Sequence, residues 1–173
     1  MAKAKRPQDV KLIISLFSAD SRLIKEIRGI LVDKFGRVDY ESRYLLMQNA
    51  SYYEAEMGKG LKRKFYSFKD LVNPGKLADI KVYTNKLENK YLHNGKRLIN
   101  IDPGYITEGK LVLATAKNHQ HRIYLKKGIY AEVTLRYKPG GFISWEWTYP
   151  DYASLEFREV FNKIIKKYRK QLK

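Results

Sequence analysis

The sequence predicts an α+β fold, with a ferredoxin-like βαββαβ start, an extended and mostly antiparallel sheet, and a C-terminal helix. Three observations carry this. An apolar run at residues 10–17 is followed by a helical stripe and then a second strand pattern. Strand, helix and strand recur between residues 61 and 101. From Leu98 onward the pattern is β, punctuated by Gly, Pro and Lys-rich turns, until a last amphipathic stretch.

Each element has its own reason. Residues 10–17, VKLIISLF, are apolar on both faces, as suits a strand in the middle of a sheet. Asp20 or Ser21 can cap a helix in which Leu23, Ile24, Ile27, Ile30 and Leu31 share one stripe, and Gly36 ends it. Residues 38–47 read as a second strand, the polar stretch to Gly60 as mostly loop, and 61–66 as a third strand. Ser67 with Asp70 resembles a capping box, interrupted by Asn73-Pro74-Gly75. A longer helix then places Leu77, Ile80, Thr84, Leu87 and Tyr91 on one face, and Asn94-Gly95 closes it. Strands are expected near 98–101, 110–116, 121–125, 129–137 and 142–147. Pro150-Asp151 starts a terminal helix that turns Phe157, Phe161, Ile164, Ile165, Tyr168 and Leu172 inward. Its Lys163, Lys166, Lys167, Arg169 and Lys170 face water. With no repeat, low-complexity tract or linker, residues 1–173 are expected to form one domain, with 1–9 as a flexible basic N-terminus.

Composition narrows the chemistry. The chain of 173 residues has no cysteine, which excludes disulfides, thiolate zinc sites, iron–sulfur clusters and a cysteine nucleophile, and fits a cytoplasmic setting. No apolar run approaches the roughly 18 residues of a membrane span. The apolar run behind the basic N-terminus is too short for a signal peptide and runs into a helix start. A net charge of +17, spread over both halves of the chain, favours a polyanion held in a salt-dependent way. The phosphate-loop, zinc-protease, serine-elbow and dinucleotide glycine motifs are all missing. Asn85-Lys86-Leu87-Glu88 matches part of a guanine-reading loop, but it lies in a predicted helix with no phosphate loop.

A group of longer segments is more distinctive: RLINIDPGYI, KLVLATAK, HRIYL, GIYAEVTLRY and WTYPDY between 97 and 152. Together with FGRVDYES, YYEAEMG and LADIKVYTNKLE, they resemble the domain-of-unknown-function family 4416 of bacteria and archaea, from Val10 to Leu172. The resemblance implies a stand-alone cytoplasmic protein and transfers no catalytic residue or cofactor. A GTP-binding label attached to some members finds no support in a chain without a phosphate loop.

Candidate site residues follow from the strands. In 129–137, Tyr130, Glu132, Thr134 and Arg136 share a face opposite Ile129, Ala131, Val133 and Leu135. That polar face is either a site or a cross-strand salt bridge in water. Asp102-Pro103-Gly104-Tyr105 reads as a turn, or as a carboxylate at the end of an apolar strand. His119-Gln120-His121 is a possible metal pair, or two imidazoles solvated or bonded singly. Glu54 and Glu56 beside Tyr52 and Tyr53 do not match a calcium loop. Lys62-Arg63-Lys64-Phe65-Tyr66 and Trp145-Glu146-Trp147-Thr148-Tyr149 interleave or cluster aromatics in a basic chain, as single-stranded nucleic-acid binders do, without an RNP1 or KH signature. The leading expectation is a phosphate-rich ligand, RNA or a nucleotide, bound by Lys110, Arg122, Lys62, Arg63 and Lys64. The alternative is an enzyme acting on a small anion with Asp102, His121 and Glu132 as catalytic groups. A third reading is a partner protein docking through its basic C-terminal helix.

Overall fold

A strand without a polar face needs cover on both sides, and the computed structural model is built outward from one. It describes residues 1–46 and 50–173. The chain runs β1 (Lys11–Ser18), α1 (Ser21–Phe35), β2 (Val38–Glu41), β3 (Leu45–Leu46), α2 (Ser51–Met57) and β4 (Lys62–Phe68). A 3-10 turn (Pro74–Lys76), α3 (Leu77–Lys90) and the short hairpin β5 (Leu92–His93) and β6 (Lys96–Arg97) follow. Then come β7 (Asn100–Ile106), β8 (Lys110–Thr115), β9 (Arg122–Lys126), β10 (Ile129–Lys138), β11 (Gly141–Ser144), α4 (Pro150–Ala153) and α5 (Leu155–Gln171).

The fold is α+β. Every residue of β1 is buried, and β1 lies in the antiparallel order β11-β10-β8-β7-β1-β4-β2, with β3 beside β4 and β9 beside β10. Helix α1 carries the chain past β4 to β2, and α3 carries it past β1 to β7, so two split βαβ units interleave. The pieces β3 and α2 are inserted between β2 and β4. Leu12, Ile14 and Leu16 meet Leu23, Ile24, Ile27 and Leu31 of α1 and Ile80 and Leu87 of α3. On the opposite face Ile13 joins Phe157, Phe161, Ile164 and Ile165 of α5. Each of these side chains contributes roughly 1.5–3 kcal/mol by leaving water.

Local chemistry accounts for the element ends. Asp20 accepts from the Arg22 N–H at 2.8 Å, and Gly36, at φ 87°, donates back to Val32 C=O. Ser154 accepts from the Phe157 N–H, which splits the expected terminal helix into α4 and α5.

Several expectations need correction. The 38–47 strand breaks after Glu41, where the Ser42 hydroxyl takes the Phe65 N–H; Met47 lies outside the described residues. The stretch expected to be loop contains α2, because Tyr53 and Met57, one turn apart, pack on Phe17. Ser67 caps nothing: it is the penultimate residue of β4, and its hydroxyl donates to Asp39 at 2.6 Å. Asn73 caps instead, accepting from the Gly75 N–H. Asn94-Gly95 does not end α3 but turns the β5–β6 hairpin, with φ of 49° and 74°.

Candidate functional site

Pairing between β7 and β8 is short, running only from Gly104 with Leu113 to Ile106 with Leu111. Toward its start, β7 meets Pro103, which has no N–H to extend a ladder. At Gly104 the strands press together so closely that a Cβ would sit 2.4 Å from the Val112 carbonyl oxygen. Asp102-Pro103-Gly104 is therefore strand and not the expected turn: the proline ends pairing and the glycine permits contact. Beyond it the strands part, and α3 closes the bare edge. Glu88 Oε1 accepts from the Ile101 N–H at 2.6 Å, and Lys81 Nζ donates to the Ile101 C=O at 3.0 Å.

The opening is a cleft of about 900 Å³. Lys81, Asn85 and Glu88 come from α3, Asn100 and Asp102 from β7, Thr115 from β8, and Asp151 and Tyr152 from α4. Tyr52, Tyr53 and Glu56 of α2 and Arg63, Arg97, Lys117, Arg122, Glu132 and Tyr149 complete the wall. Lys81 lies 3.1 Å from Asp102 Oδ1, while Asn100 donates to Oδ2 at 2.5 Å. Arg97 forks onto both oxygens of Glu56 at 2.7 Å. Arg122 Nε donates to Glu132 Oε2 at 2.8 Å, and Thr134 reaches Oε1 at 3.2 Å. Arg63 donates to Ser15 Oγ at 3.0 Å, with its guanidinium 4.5 Å over the Phe17 ring. Asp151 is 8% exposed, and its Oδ1 has no hydrogen-bond partner.

Two neighbouring carboxyls are driven apart in acidity. Burial pushes Glu88 up to about 7, with nearby Asp102 adding to the rise and Lys81 opposing it. Burial also acts to raise Asp102, but the charges of Lys81 and Arg63 and the hydrogen bonds from Lys81 and Asn100 outweigh it. That carboxyl is held below its usual range. Burial raises the Tyr152 phenol as well.

Of the residues singled out from sequence as catalytic or phosphate-binding, Asp102, Glu132, Arg122 and Arg63 line the cleft, as do Tyr52, Tyr53, Glu56 and Tyr149 from the aromatic and acidic segments. His121 stands behind the wall, 3.0 Å from Glu132 Oε2, stacked on Trp147 at 5.4 Å and 13°. Its Nδ1 is 2.9 Å from that of His119, so the two imidazoles are neither separate nor merely solvated. Lys110 does not join them: it begins β8 at the opposite end, across from Arg136. Lys62 is exposed, and Lys64 pairs with Glu41 under the Tyr44 ring. The expected two-faced pattern of β10 also fails, because a bulge between Val133 and Leu135 sends Leu135 to the α5 core while Glu132 and Thr134 are buried.

Lys81, Asn100, Asp151 and Tyr152 escaped the sequence reading as site residues, and Asn85 and Glu88 enter it only within a guanine-loop match that lacks a phosphate loop. A signal existed for two of them. Leu77, Lys81, Thr84 and Glu88 fall four, three and four residues apart, so two charges sit on an inward helical stripe.

The sequence model of the domain of unknown function DUF4416 matches residues 8–168. The chain belongs to that family. No curated protein and no solved structure matches it. In this DUF4416 chain the matched span contains every residue of the cleft wall. Among its described residues no helix is long and apolar enough to cross a membrane.

Proposed function

We propose that the cleft binds a small anionic ligand, up to the size of a nucleotide, and acts on it by general acid–base chemistry. The observation that carries this reading is the convergence, at the parting of β7 and β8, of Lys81, Arg63 and Arg122 with Asp102, Glu88 and Glu132. The volume lies within the roughly 300–1,000 Å³ usual for ligand sites. Asp102, held ionised beside Lys81, supplies a fixed negative charge that can orient a ligand's proton donor and stabilise positive charge developing in the reaction. Glu88, pushed up to about 7 on the neighbouring helix α3, is the group suited to give and take a proton, while Asp102 stays charged; environments that drive two carboxyls apart separate such roles. Lys81 and Arg63 would meet the ligand's negative charge in a partly dry site, where such charges act strongly.

Phosphate-bearing compounds of increasing size, added to the full chain in calorimetric titrations, are expected to bind one per molecule. Asp102→Asn is expected to retain the fold and lose turnover of whatever bound compound is converted. Absence of binding by every compound up to a nucleoside triphosphate would remove the reading. A second reading, RNA held by the outer surface, is favoured by the +17 charge and by the exposed Lys163, Lys166, Lys167 and Lys170 of α5. It predicts affinity that collapses between low and physiological salt and ignores Asp102→Asn.

A further inference from the structure

We infer that the ligand of the cleft carries a primary amine as well as its anionic group, and that Asp151 receives the amine. This rests on the reading of the cleft as a small-anion site. Five carboxylates line it, and four are engaged. Glu56 is forked by Arg97, Glu88 takes the Ile101 N–H, Asp102 takes Lys81 and Asn100, and Glu132 takes Arg122, His121 and Thr134. Asp151 differs from all of them. It is 8% exposed, lines the cleft, and among the described residues has no ion pair, while its Oδ1 has no hydrogen bond.

A buried carboxylate with no cation against it is costly, and a ligand cation entering the cleft would relieve that cost. Tyr149 and Pro150 place Asp151 in the first turn of α4, so its backbone is set by the helix start. The complement of a carboxylate in a dry wall is a cation that donates hydrogen bonds, which an ammonium does best. On the anion side, exposed Lys117 adds to Lys81 and Arg63: it has no ion pair among the described residues, and its ammonium lies 6.0 Å from the Tyr52 ring at the cleft wall. Asp151 thus supplies a carboxylate, and Lys117 at the exposed rim an ammonium, that no ion pair among the described residues uses. A ligand that is itself an ammonium joined to an acid satisfies both.

Two matched pairs test this: phosphoethanolamine against ethyl phosphate, and 4-aminobutyrate against butyrate, each titrated into the full chain. In at least one pair the amine-bearing member is expected to bind roughly 10- to 100-fold more tightly, the worth of one charge-assisted hydrogen bond. Asp151→Asn is expected to remove that discrimination while its melting temperature holds or rises, and Lys117→Gln to weaken both members of the pair alike. If the amine-free anions bind as tightly as their partners, or if Asp151→Asn preserves the preference, the inference falls and the anion site stands. If none of the four binds and no larger phosphate compound does either, the anion site falls and takes the inference with it. Binding of larger phosphates that is indifferent to an added amine overturns the inference alone.

Discussion

Glu88 shows how one side chain can couple the cleft to pH. Its folded-state pKa, about 7, lies above the usual carboxyl value of 4.5, so folding favours the protonated form. The stability it contributes is complete below about pH 4.5 and is lost as pH rises through 7. Glu88→Gln keeps an acceptor for the Ile101 N–H but cannot ionise. Urea unfolding of the two proteins between pH 5 and 8 should show the variant gaining on the parent by on the order of 2 kcal/mol. Equal slopes would mean that Glu88 titrates normally. Asp102 has the opposite sign: its lowered pKa stabilises above 3.8 and is lost on acidification, so the two windows do not overlap. Residue roles were the least legible part of the sequence. Asp102, Glu132 and Arg122 stood out as charges on apolar strands, whereas Glu88 and Asp151 looked like ordinary helix residues until tertiary packing enclosed them.

At the scale of elements, periodicity located most strands and helices because burial and pattern agree in them. In α1 every stripe residue but Ile30 is buried, and Asp20 and Gly36 mark its ends. Patterns failed where long-range contact overrides local preference. Helix α2 exists because Phe17 offers it an apolar seat, and the β10 bulge swaps the faces of a strand whose alternation looked regular. Gly104 is the sharpest case. A turn glycine tolerates alanine only where φ is negative, whereas this one is extended strand that tolerates nothing larger for lack of room. Gly104→Ala should force β8 away and cost about 1–3 kcal/mol, seen as a lower urea midpoint at unchanged slope. A midpoint equal to the parent's would show that the strands already stand farther apart.

At the scale of the whole molecule, the α+β class and the central place of β1 were readable because a strand with apolar residues on both faces has one kind of location. The passage of the cleft between two strands was not, since no local pattern records where a ladder stops. Helix α5 supplies Phe157, Phe161, Ile164, Ile165 and Tyr168 to one face of the sheet, and the Tyr168 hydroxyl donates to the Asp9 C=O at 2.8 Å. A chain ended after Asp151 should lose its cooperative melt; retention of a sharp transition would make α5 an appendage. Three residue pairs join β7 to β8, against seven between β1 and β7, so the sheet is two slabs sewn along a short seam. Such a seam opens before the slabs unravel. Amides at 104–106 and 111–113 should therefore exchange with deuterium sooner than those of β1, and a molecule lodged in the cleft, touching both slabs, would slow them as a clasp does.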